Sequence, residues 1–149
     1  MEQDCERFVL DLLARHNILT LATVREDGYP HATTVAYVSE GLTIYISASP
    51  QSQKVRNIQR NPRVSLTIDH DYEDWNHIKG LSLAGTASFL DDAAEIRHVY
   101  TLLRRKFPQL ESVPVPEDSA AITLLKVRPQ VFSLIDYEKG FGHADLVRV

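Results

Sequence analysis

A succession of short, β-branched, apolar runs separated by turn-forming residues constrains this chain more than any other feature. ILTLATV at 18–24, HATTVAYV at 31–38, LTIYIS at 42–47, RVSLTID at 63–69 and LSLAGTASFL at 81–90 all have the composition of strands. Asp27-Gly28 supplies a hairpin turn after the first run, and Ser39-Glu40-Gly41 makes the next reversal, so the first three runs are expected to form a meander. AITLLKV, VFSLIDY and, after Gly140 and Gly142, HADLVRV add further strands. No regular alternation of strand and helix is present to build a parallel sheet. The pattern therefore predicts a mainly β (α+β) fold, a small antiparallel barrel decorated by helices.

Three segments read as helices. From Asp4 to about His16, the residues Phe8, Val9, Leu12 and Leu13 recur at helical spacing, with Asp4 available as N-cap. In SPQSQKVRNIQRNP, Ser49 can cap, Pro50 fits the first turn, and Val55 and Ile58 form one apolar face; Pro62 should stop the helix near Asn61. Asp92 and Glu95 have capping-box spacing ahead of the stripe Ile96, Val99, Tyr100, Leu103 and Phe107. HDYEDWNHIKG reads as a polar, aromatic loop, and the prolines between Pro108 and Ser119 as an exposed one. With no repeat or linker in view, residues 1–149 are expected to form a single domain.

Length and charge exclude several classes. A domain of 149 residues can build its own core, and one cysteine, Cys5, rules out an intrachain disulfide framework. No apolar stretch approaches the roughly 20 residues needed to cross a bilayer, and the charged N-terminus is unlike a signal peptide, so a cytoplasmic protein away from membranes is expected. Sixteen Lys plus Arg against 20 Asp plus Glu gives a net charge of −4, which argues against nucleic acid as a partner. Arg60 with Arg63 and Arg104-Arg105-Lys106 lack interleaved aromatics and read as solvated helix ends.

The chemistry-bearing stretch runs from Pro30 to Asn61. A helix start with free N–H groups, hydroxyls at Ser49 and Ser52 and a cation at Lys54 is equipment for a phosphate dianion. Taken alone, these residues are better accounted for by a structural role, with Ser49 capping and Lys54 in solvent. The wider layout adds to this. A strand with a proline-led start, an "IYIS" strand, a Ser-x-Lys helix start, an "NPRVSL" strand and a later "L-x-G-x-A" strand occur in order, and over residues 15–107 this order resembles the pyridoxamine 5′-phosphate oxidase-like, FMN-binding split-barrel superfamily. The closing segment, with Phe107-Pro108 and Gly140-Phe141-Gly142, is more similar to a separate branch than to the oxidase itself.

The resemblance implies a six-stranded antiparallel split β-barrel with an N-terminal helix and inserted helices, FMN as cofactor, and a homodimer with sites across the interface. By role, Thr33, Thr34 and Val35 would meet the flavin ring edge, and Ile46 and Ser47 would line the ring and ribityl chain. Ser52, Gln53 and Lys54 would bind phosphate, and Lys79 would reach the cofactor from the partner subunit. The chain departs from the oxidase in two ways: Gln53 and Thr33 stand where basic phosphate ligands are expected, and EKGFGHADLVRV lacks the substrate-binding arginine and histidine. Pyridoxamine phosphate oxidation is accordingly not predicted. The expectation is an FMN-binding oxidoreductase acting on a small molecule or electron donor, with no catalytic side chain assigned. A differently liganded or non-catalytic binding protein, holding haem or the deazaflavin F420, is the alternative.

Elsewhere the readings are structural. The six histidines show no zinc spacing and no metal site is expected, although His143 in the Gly-Phe-Gly-His tail is a possible haem ligand. Asp69, Asp71, Glu73 and Asp74 lack calcium-loop spacing and read as a solvated loop, within which Trp75 either packs or stacks on a ligand.

Overall fold

A computed structural model describes residues 1–112 and 121–149. Most of the Pro108–Ser119 segment expected as a loop lies outside them; its beginning, Pro108–Leu110, is a single 3-10 turn. The described strands form one antiparallel sheet in the order β2-β1-β5-β6-β7-β4-β3, with β8 paired to β7. They are β1 (Ile18–Val24), β2 (Pro30–Ala36), β3 (Val38–Glu40), β4 (Thr43–Ala48), β5 (Arg63–Ile68), β6 (Lys79–Phe89), β7 (Thr123–Asp136) and β8 (Ala144–Arg148). The helices are α1 (Gln3–Arg15), α2 (Gln53–Arg60) and α3 (Ala93–Lys106). The expected antiparallel split-barrel architecture is present, with eight strands rather than six because the short β3 and β8 extend the sheet.

Strand alternation sorts the side chains. Leu19 and Leu21 of β1, Val64, Leu66 and Ile68 of β5, Leu81 and Leu83 of β6 and Phe132 and Leu134 of β7 point inward, where Val9, Leu12 and Leu13 of α1 complete the core. A second, smaller core forms where Val99 and Leu103 of α3 cover Val38, Tyr45 and Leu124 on the outer side of β3, β4 and β7. The rest of the outer face carries a small, polar row flanked by Ile18 and Val24 of β1 and by Val131 and Ile135 of β7. Successive registers set Thr34, Thr20, Thr67, Ser82 and Ser133 side by side across five strands, ending at the exposed Leu146 of β8.

Three local expectations are corrected. α1 begins at Gln3 with Glu2 at the N-cap, so Asp4 lies inside the first turn, where its charge still suits the helix dipole. α2 begins at Gln53, placing Ser52 rather than Ser49 at the N-cap and leaving Pro50 in the preceding turn; its end at Arg60, before Asn61, is as expected. The runs AITLLKV and VFSLIDY are one continuous strand, β7, which passes through Pro129. A bulge permits this, since the register jumps from Ala84↔Val131 to Gly85↔Pro129 and skips Gln130. Gly85 is required there because a Cβ would overlap the Arg128 carbonyl.

The barrel closes incompletely, and this positions the site. β2 pairs with β1, whereas β3, one residue after β2, pairs with the start of β4 through Val38↔Tyr45. β2 approaches the later part of β4 without pairing to it. The unpaired edges of β2 and of the end of β4 therefore diverge beyond Tyr37. Tyr37 anchors the closed end: it is fully buried and its hydroxyl donates to the Leu13 carbonyl of α1 at 2.7 Å. Among the described residues no helix is long and apolar enough to cross a membrane.

At that closed end the Lys106 ammonium lies 3.7 Å from the centre of the Tyr37 ring with no hydrogen-bond partner among the described residues, and burial pushes its pKa down to about 8. In the unfolded chain the amine stays protonated up to about 10.4, so folding is disfavoured by the charged form, and stability should rise as pH climbs from about 8 towards 10. Lys106→Met, which keeps the apolar stem, is expected to melt higher than wild type at pH 7, with the difference shrinking by pH 10 in thermal denaturation.

Candidate functional site

The wide end of the cleft is built where β4 runs into α2. After Ala48, Ser49 to Gln51 turn the chain, and the Ser52 hydroxyl donates to the Ser49 carbonyl at 2.7 Å. Ser52 holds the N-cap position, yet its side chain accepts nothing from the helix. The first-turn N–H groups of α2 therefore meet no side-chain acceptor, a condition suited to an anion. Lys54 is half-buried and has no partner among the described residues. Arg56 folds back over the turn, donating to the Gln51 carbonyl at 2.9 Å and to Gln53 Oε1 at 2.8 Å. Thus a second cation, not anticipated from the sequence, stands at the helix start.

A buried polar chain ties this helix to the barrel. Gln53 Nε2 donates to Asn57 Oδ1 at 2.7 Å, and Asn57 Nδ2 donates to Thr23 Oγ1 at 2.9 Å. Asn57 and Thr23 are almost completely buried, so each needs the other to replace lost water. His31 lies directly across from Thr23 in the β1–β2 register, and its Nδ1 is shut off from solvent without a partner. Neither Asn57 nor His31 was singled out from the sequence. Asn57 is recognisable as a polar residue four places after Gln53 on the buried side of α2, and His31 as two places before Thr33 on the same strand face.

The residues expected to bind cofactor are distributed as follows. Thr33 and Val35 share the inward face of β2, paired with Leu21 and Leu19, whereas Thr34 points outward into the hydroxyl row. Ile46 is fully buried in the main core, so only its main chain is available to a ligand, and Ser47 is exposed beside it. Ser52 and Lys54 are at the helix start, but the Gln53 amide is occupied at both ends by Asn57 and Arg56. Lys79 stands apart. It begins β6 and pairs with Glu138 at 3.1 Å, whereas α2 neighbours the β1–β5–β6 level of Ala84, five residues or about 17 Å along the strand. Within one chain it does not join the corner.

The other candidates engage locally. Asp74 caps the short turn Trp75–His77 and accepts from His77, and its carboxyl sits below the usual carboxylate range chiefly through the Asn76 N–H. His143 contacts Asp145 at 3.0 Å. Trp75 and Phe141 are both exposed, with ring centres 6.2 Å apart. A cleft between the start of α1 and β7–β8 is lined by Cys5, Phe8, Asp136, Lys139 and Asp145, but Lys139 and Asp145 are paired with each other. Among the described residues no three His, Cys, Asp or Glu side chains converge as a metal site would require.

Among the described residues, the uncapped start of α2 thus brings together two cations, Lys54 and Arg56, and first-turn donors without a side-chain acceptor, just after the end of β4. The family model for pyridoxamine 5′-phosphate oxidase matches residues 6–136. The chain belongs to that family. Within it, general stress protein 26 of Bacillus subtilis is 33% identical over 96 residues, a match spanning 64% of this chain and 66% of that relative's length, just under two thirds. A haem-binding protein from Mycobacterium smegmatis superposes with a TM-score of 0.80 at 21% identity, covering 99% of this chain and 59% of its own. An F420 reductase superposes with a TM-score of 0.63 at 28% identity, covering 83% of this chain and 94% of its own. One pyridoxamine 5′-phosphate oxidase-type fold is therefore shared by proteins named for different ligands.

The link between α2 and the barrel makes a direct prediction. Asn57→Ala removes both bonds and leaves Thr23 Oγ1 buried and unpaired, which is expected to cost about 1–3 kcal/mol in denaturant unfolding.

Proposed function

We propose that this chain binds FMN in the cleft between β2 and β4 and supports a redox reaction on a small molecule, as a homodimer. The observation that carries the reading is the start of α2, with an N-cap serine that does not cap and a half-buried Lys54 that has no partner among the described residues. Membership of the pyridoxamine 5′-phosphate oxidase family supports it. The flavin, when bound, supplies the hydride and electron chemistry. The chain's own residues hold and orient. Lys54, the first-turn N–H groups of α2 and the Ser52 hydroxyl would bind the phosphate. Thr33 and Val35 offer their edge of β2 to the ring, and the exposed Ser47 borders the other wall.

Dimer formation is supported by the outer sheet face, where the row from Thr34 to Ser133 carries only small hydroxyl side chains and so allows close approach of a second copy. Because a two-fold interface is self-complementary, it can bring the Lys79 end of one sheet towards the α2 end of the other. That arrangement gives Lys79 access to the partner's cofactor, which its position within one chain denies.

A second reading, haem or F420 in the same cleft, is favoured by the haem-binding and F420 reductase proteins that share the fold. Visible spectra separate the ligands. After incubation with excess FMN and gel filtration, the protein should retain a flavin spectrum. A colourless product overturns the reading, and a Soret or deazaflavin band acquired from those ligands instead replaces it. Lys54→Ala is expected to weaken FMN binding between about ten- and a hundredfold in a fluorescence titration, with little change in melting temperature, since one charge-assisted bond is lost and no core contact is touched.

A further inference from the structure

We propose that the cleft between the start of α1 and β7–β8 is a second small-molecule site, which takes an organic cation: an ammonium group on a compact apolar body. The cleft includes Asp136, which pairs with Lys79 at the opposite end of β6 and β7 from α2, and the proposal does not rest on the FMN reading. Its volume of about 790 Å³ falls within the roughly 300–1,000 Å³ of pockets that enclose small ligands. The lining has two kinds of surface. Phe8 of α1 with Leu134 and Val147 of the sheet gives an apolar floor continuous with the main core. Around that floor the acidic Glu2, Asp4, Asp136 and Asp145 outnumber the basic Lys139 and Arg148, so the cleft attracts cations rather than anions.

Asp136 carries the assignment. At 9% exposure it is, among the described residues, the only buried residue with a carboxylate or a cationic group. Its Oδ1 accepts from the Glu138 N–H at 3.1 Å, whereas Oδ2 has no donor among the described residues. The nearby cations are engaged elsewhere, Lys79 with Glu138 at 3.1 Å and Lys139 with Asp145 at 3.6 Å. Oδ2 is also absent from the unpartnered polar atoms that the fold shuts off from solvent, so its free lone pairs open onto the cleft that Asp136 lines. A carboxylate this buried, with one hydrogen bond and no counter-charge, is costly to hold. An ammonium in the cleft supplies both, in a place where little water competes. Leu134 and Asp136 lie two residues apart on the inward side of β7, so a cation held at Asp136 sets its apolar body over Leu134, between Phe8 and Val147.

Cys5 lines the same cleft and is the sole cysteine of the chain, so its rate of reaction with iodoacetamide reports occupancy. Benzylammonium is the probe, and benzyl alcohol, nearly the same in size but uncharged, is the control at constant ionic strength. Benzylammonium should slow the labelling of Cys5 with a dissociation constant of about 1 mM, the scale for a ligand of so few atoms, and the alcohol should leave the rate unchanged. Asp136→Asn keeps an oxygen to accept from the Glu138 N–H but removes the charge, and should weaken this protection about tenfold or more. Absence of protection in the wild-type protein, equal protection by the alcohol, or undiminished protection in the variant overturns the proposal. If Asp136→Asn does not fold, chemical shifts of the wild-type protein decide it. The Asp136 carboxylate carbon and the Leu134 and Val147 methyl signals should move with benzylammonium and stay in place with the alcohol; unmoved signals, or equal movement with both, refute the site.

Discussion

The structure depends on a sheet that curls almost to closure and then declines to pair its last edge. β2 spends its hydrogen bonds on β1, and after Tyr37 the same extended chain turns its continuation, β3, to β4. A single strand thus serves two neighbours in succession, and the divergence between them is the cleft. Tyr37 can hold the apex because its ring is buried while its hydroxyl finds the carbonyl of Leu13, which joins α1 to the closed end. A fully paired barrel of this size would be filled by side chains and would have no mouth.

The open end needs different support, because a helix start without caps is a weak point unless something else holds the helix in place. Val55 and Ile58 supply the apolar contact, and Asn57 supplies direction by bonding Thr23 of β1 and Gln53 of its own first turn. The arrangement fixes α2 from its buried side and leaves the N–H donors of its first turn uncapped by Ser52. Arg56 neutralises the turn's own acceptors, so the turn itself does not compete for those donors. The two parts of the helix are therefore distinct: its buried face is bonded into the fold, whereas the N–H groups of its first turn meet no side-chain acceptor among the described residues.

Many parts of this were legible in the residues. β1 and the end of α2 are placed by β-branched runs and by Pro62, signals that act over a few residues. The start of α2 was misplaced by three residues because Ser49 and Ser52 offer equivalent caps, and the turn that decides between them is made by the Ser52 hydroxyl donating to the Ser49 carbonyl. β7 was divided at Pro129, since proline ordinarily ends a strand; only the opposing Gly85 on β6, distant in sequence, makes room for the bulge. The order of the motifs points to the corner at the start of α2, but not to the bonding of Gln53 or to the unpartnered His31, because hydrogen-bond partners from different elements leave no periodic signal.

By itself the sequence determined the kind of fold, the helix that follows β4 and the family, since strand periodicity, turn chemistry and motif order are all local or ordered along the chain. Tertiary structure alone decided that Thr33 rather than Thr34 faces the barrel interior, that Lys79 lies at the far end from α2, and that the Gln53 amide is already occupied. It also left His31 without a partner. Each of these depends on register and curvature, which are set by how strands remote in sequence share their hydrogen bonds and close around one core.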